Sequence, residues 1–122
     1  MTTTTPRTIH VAIELDHEFL SDVLTTAVSG GITYWADVTE HAKDLYEIAP
    51  NVEMRMEFEP QALSSDHIAI GIRKAMERTP GCAMHIRRRI TQAVQYQDAS
   101  CIDAGDADVI VQLAVFESIV YG

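Results

Sequence analysis

Two short stretches carry side chains suited to recognition chemistry. Tyr34-Trp35 sets the single tryptophan beside a tyrosine, a few residues after the double glycine Gly30-Gly31. Exposed, such a pair serves as an interface hot spot or as a platform on which a base stacks. Buried, Trp35 would instead anchor the core under the helix that precedes it. The second stretch is Arg87-Arg88-Arg89. Three consecutive helical residues fan over about 200° of helix surface, so they do not converge on one ligand. Arg89, beside the apolar Ile90, is the member placed to reach a phosphate or a carboxylate. Pairing with the surplus acids of the N-terminal half is the other reading of these arginines.

Catalytic and metal patterns are missing from the sequence. The histidines His10, His17, His41, His67 and His85 are scattered, with no spacing that sets two on one face beside a carboxylate. Asp103, Asp106 and Asp108 cluster around Gly105, but neither the acid positions nor a distal glutamate follow the calcium-loop pattern. Helix capping suits them better. There is no nucleophile elbow, and Gly30-Gly31 leaves a helix rather than entering one as a phosphate loop does. Carboxylate pairs such as Asp16 with Glu18 carry little weight on so acidic a chain. Cys82 and Cys101 form no redox or zinc spacing and read as small apolar residues. The expectation is a protein with no catalytic residues, no metal and no cofactor.

Charge narrows the function classes further. The chain has 18 acidic against 9 basic side chains, a net charge of −9. Residues 1–66 and 98–122 are acidic, whereas 67–97 hold Arg73, Lys74, Arg78 and the three consecutive arginines against Glu77 alone. A net acidic surface disfavours direct nucleic-acid binding, whose affinity comes mostly from phosphate contacts. It suits a basic protein partner, and Glu14, Glu53, Glu57 and Glu59 are the candidate contact residues. No apolar run is long enough to span a membrane, and the N-terminus lacks the basic and apolar regions of a secretory signal, which leads to an expectation of cytoplasmic location.

The elements that would position these residues form an α+β domain over 8–122, after a flexible leader at 1–7. Ile9, Val11, Ile13 and Leu15 alternate as one strand. A helix over about 17–29 follows, with Asp16 as its N-cap and Gly30-Gly31 as its C-terminal stop. β-Branched and aromatic residues favour a second strand within 32–43, and Val52 to Glu59 alternates as a third. The second and third would form a hairpin-like pair across Pro50-Asn51, giving a small antiparallel sheet. Ser64 or Ser65 caps a helix whose Ile68, Ile72, Ala75 and Met76 point inward, and another helix spans about 83–97. The nearly apolar segment Ala107 to Tyr121 favours a terminal helix that must be covered on most sides, in part by a second copy. A homodimer is therefore expected.

The stretch Gly30-Gly-Ile-Thr-Tyr-Trp-Ala36, with the ending Asp106-Ala-Asp-Val-Ile-Val-Gln-Leu-Ala-Val-Phe-Glu-Ser-Ile-Val-Tyr-Gly122, resembles a group of short proteins of actinobacterial phages and other mobile elements. The likeness spans about a fifth of the chain. Those proteins carry glycine where Glu117 stands here. The group brings no catalytic residues to transfer. What it implies is a context in which small acidic proteins inhibit a host or anti-phage defence protein, anti-CRISPR proteins among them. A second class of function remains open: a sponge for a small phosphorylated or nucleotide ligand, using Arg87, Arg88 and Arg89 with Tyr34 or Trp35 stacked on a base.

Overall fold

The computed structural model describes residues 12–53, 57–77 and 81–122. Helix α1 (His17–Thr26) runs on into a π-helical turn (Ala27–Gly31). Strands β1 (Ala36–Ala42), β2 (Leu45–Pro50) and β3 (Gln61–Ser64) follow, then helices α2 (Ser65–Met76), α3 (Met84–Tyr96) and, after a 3₁₀ turn at Ala99–Cys101, α4 (Ala104–Phe116). The fold is α+β, with a three-stranded antiparallel sheet in the order β1-β2-β3.

The helices follow from their patterning. Phe19, Leu20, Val23 and Leu24 bury one face of α1, and Ile68, Ile72 and Ala75 bury one face of α2. Ser64 is the N-cap of α2, and its backbone N–H donates to Nδ1 of His67 three residues on (3.1 Å). In α3 the inward residues are Ile90, Ala93 and Val94. Gly30-Gly31 does not form the expected left-handed stop. The chain keeps winding through Gly31, and the Ile32 N–H reaches back to the carbonyl of Ala27 (3.0 Å).

The sheet departs most from expectation. Thr8 to Val11 lie outside the described residues, and Ala12 to Asp16 form no strand. Of the segment Val52 to Glu59, Val52 and Glu53 form a turn, 54–56 lie outside the described residues, and Glu57 to Glu59 form no strand. The hairpin instead closes at Lys43-Asp44, with Asp44 in the left-handed region (φ 58°) that aspartate tolerates. β2 pairs with both neighbours: Val38 with Ile48, and Tyr46 with Leu63. Its alternation puts Ile48 into the core while Leu45 and Glu47 stay exposed.

Helix α4 starts earlier and ends earlier than Ala107 to Tyr121. Asp103 caps it by accepting from the Asp106 N–H (2.7 Å). Every residue from Asp106 to Leu113 is buried. The cover comes from the same chain, chiefly α2, with α1, the π-helical turn and α3 completing it. The expected need for a second copy to cover this helix therefore loses its basis. The contact with α2 is closest at Gly71, where a Cβ would run into the carbonyl oxygen of Ile110. Gly71→Ala should force the two helices apart and cost about 2 kcal/mol or more in denaturant unfolding.

Candidate binding site

Tyr34 and Trp35 sit in the turn between the π-helical turn and β1, where three backbone bonds fix the chain. The N–H groups of Trp35 and Ala36 both donate to the Ile32 carbonyl (3.1 and 2.9 Å), and Asn51 N–H donates to the Trp35 carbonyl (3.2 Å). Trp35 is fully buried. Its ring lies among Phe58, Phe116 and Tyr121, with centroids 5.3 to 5.7 Å away. Trp35 is a core anchor, packed by aromatic rings from the β2–β3 connection and the end of the chain.

The polar end of that anchor is Asp108. One carboxylate oxygen accepts from Trp35 Nε1 (2.7 Å) and Gln112 Nε2 (2.8 Å), and the other from the Tyr34 hydroxyl (2.6 Å). Asp108 and Gln112 lie one turn apart on α4, and both are buried. Gln112 also accepts from the N–H groups of Val120 and Tyr121 through Oε1, both at 2.8 Å. Among the described residues every buried side-chain nitrogen and oxygen has a hydrogen-bond partner. Burial and the Asp108 carboxylate push the Tyr34 phenol well above its ordinary range.

The arginines part company, as their angular spread requires. Arg89 makes a bidentate contact with Asp106 (Nε to Oδ2 2.9 Å, Nη2 to Oδ1 2.7 Å), which holds its guanidinium charge more firmly than usual. Its partner belongs to α4, not to the acidic N-terminal half. Arg87 donates to the Ala75 carbonyl (3.0 Å), tying α3 to the end of α2. Arg88 is exposed on the outer face of α3. Trp35 is buried, Tyr34 is bonded to Asp108, and Arg89 is committed to Asp106. These residues do not come together in one ligand site.

The acidic candidates lie on two elements. Glu14 is exposed ahead of α1, while Glu53, Glu57 and Glu59 are exposed in the β2–β3 connection. None forms an ion pair with a described residue. On the sheet, Asp37 and Glu47 share one exposed face through the Asp37–Ala49 and Thr39–Glu47 pairings. Of the histidines, His10 lies outside the described residues, and His17 and His41 meet Asp44 and Glu47 (3.2 and 3.9 Å). No cluster that could hold a metal occurs among the described residues. An apolar cleft of about 460 Å³ between the segment before α1 and helix α2 is lined by Ile13, Leu15, Ile70, Ile72 and Met76, with Arg73 and Glu77 at its rim.

No protein-family model matches the chain, and no curated protein or solved structure is significantly similar to it.

Sequence reasoning grouped Asp108 with the helix-capping aspartates, whereas the cap is Asp103 with Asp106, and it gave Gln112 no role. Their signal was present all the same, as two polar residues four apart in an otherwise apolar segment. Two outcomes follow from this geometry. Tyr34 keeps its proton in the folded state after the unfolded chain has lost it, so its stabilisation is present below a pH of about 10 and falls away as pH rises further. Tyr34→Phe should remove part of the alkaline loss of stability seen in denaturant titrations, leaving the share due to Tyr46, whose phenol is raised too. Arg89→Met should lower the denaturation midpoint more than Arg88→Met, because it strips the buried Asp106 carboxylate of its partner.

Proposed function

We propose that this domain is a non-enzymatic, acidic binding protein that inhibits a partner by covering a basic surface on it. The observation that carries the reading is the division of charge. The cations on the helices largely serve the protein itself: Arg89 on Asp106, Arg87 on a carbonyl, Lys74 on Glu117 and Arg73 on Glu77. The carboxylates of Glu14, Glu53, Glu57 and Glu59 point outward, with Asp37 and Glu47 adding to the acidic surface. Such a surface steers a basic partner and gives a salt-dependent association.

The resemblance to proteins of phages and mobile elements favours a host or defence-system protein as the partner, in the cytoplasm of the host cell. A basic nucleic-acid groove on that protein is the surface that carboxylates of this kind would occupy. Among the described residues no helix is long and apolar enough to cross a membrane. The domain acts alone or as a homodimer.

A tagged copy recovered gently from host lysate and weighed by native mass spectrometry should carry a stoichiometric protein. That complex should weaken as salt is raised. The triple variant Glu53→Lys, Glu57→Lys and Glu59→Lys should weaken it at least about tenfold. Its folding stability should change by about 1 kcal/mol or less, because all three residues are exposed. Undiminished capture by the folded triple variant would refute the acidic-face reading.

A further inference from the structure

The sheet has one long open edge. In the order β1-β2-β3, strand β3 is four residues long and runs straight into α2, whereas β1 is seven residues long and has β2 on one side only. The bond from Asn51 N–H to the Trp35 carbonyl fixes the phase of the β1–β2 ladder. In an antiparallel pair the backbone groups of alternate residues face the partner strand. Asp37 and Thr39 therefore face β2, and Val38 and Glu40 turn their N–H and C=O groups away from it. No backbone bond to another described element meets those outward groups. Such a row is a template for one further strand. A bulge between Glu40 and Ala42 ends it.

The side chains along this edge select the strand that completes it. Asp37 and Glu40 are exposed and lie on opposite faces of the sheet, and Val38, between them, is half-buried against the core. Neither carboxylate forms an ion pair with a described residue. The negative charge here is felt nearby: after burial, Glu40 and Asp44 hold the Tyr46 phenol above its ordinary range. The nearest imidazole, His41 at the bulge, is directed to Glu47 (3.9 Å). We propose that β1 takes up an extended, antiparallel segment of the partner protein, with basic side chains opposite Glu40 and Asp37 and an apolar one opposite Val38. Backbone bonds to Val38 and Glu40 hold the segment, and the carboxylates set its register and charge. This rests on the reading of the domain as an acidic protein with a basic partner, and adds where and in what conformation that partner is held.

The test uses full-length protein at low salt and a blocked synthetic peptide, Thr-Lys-Thr-Val-Lys-Thr. At saturation the amide protons of Val38 and Glu40 should exchange at least about tenfold more slowly, while that of Thr39, already in the ladder, is unchanged. Methylating the backbone nitrogens of the peptide's first lysine and its valine keeps every charge and should abolish binding. Glu40→Pro removes an outward N–H on an edge strand, where proline is tolerated, and should lose the peptide. Glu40→Gln keeps that N–H and should weaken binding only about threefold. The methylated peptide is read on the wild-type chain, so it decides the matter even if Glu40→Pro does not fold. Equal binding of the methylated peptide, or no binding of the plain one, would overturn the proposal. So would protection of Val38 and Glu40 in the free protein that grows with its concentration, which a second copy on the edge would give. With the host partner, loss on the triple charge reversal but not on Glu40→Pro leaves the acidic surface standing and overturns the edge. Loss on neither overturns both.

Discussion

The buried carboxylate of Asp108 is the point on which three parts of this molecule meet. It holds Tyr34 and Trp35 from the turn before β1, and it orients Gln112 on its own helix. Gln112 in turn fixes the end of the chain. A charge this deep is costly unless fully bonded. Three donors, one of them the indole N–H of the largest core residue, meet that condition. The turn holding Tyr34 and Trp35 and helix α4 thus touch each other directly.

A second buried carboxylate, Asp106, follows the same logic two residues earlier. It closes the capping box with Asp103 and receives the fork of Arg89. Together the two aspartates anchor α4 at its start and along its length, so a helix apolar on nearly every side keeps a single register. The cost is that two of the most chemically suggestive features, the tryptophan and one arginine of the triplet, are spent on structure. What the fold leaves exposed is the set of carboxylates at Glu14, Glu53, Glu57 and Glu59.

The helices were legible in the sequence and most of the sheet was not. Apolar residues three and four apart mark α1, α2 and α3 locally, since each helix closes its own hydrogen bonds. A strand is completed by residues distant in sequence. Val52 to Glu59 alternates well yet forms no strand where it is described, whereas Leu45 to Pro50, ending in proline and entered through Lys43-Asp44 with no glycine, sits in the centre of the sheet. The capping role of Asp103 and Asp106 was readable. The end of α4 was missed because apolar content continues past Phe116, although Glu117 takes a left-handed backbone conformation that glycine adopts without cost.

The most direct test of the Asp108 anchor is hydrogen exchange at the indole of the single tryptophan, which gives one resolvable N–H resonance. The structure predicts an indole proton that exchanges only when the whole domain unfolds, with a protection free energy equal to the global stability, and that loses this protection in Asp108→Ala. Exchange through a low-energy local opening in the wild-type protein would contradict the anchor, and with it the account of how the tail and α4 are held.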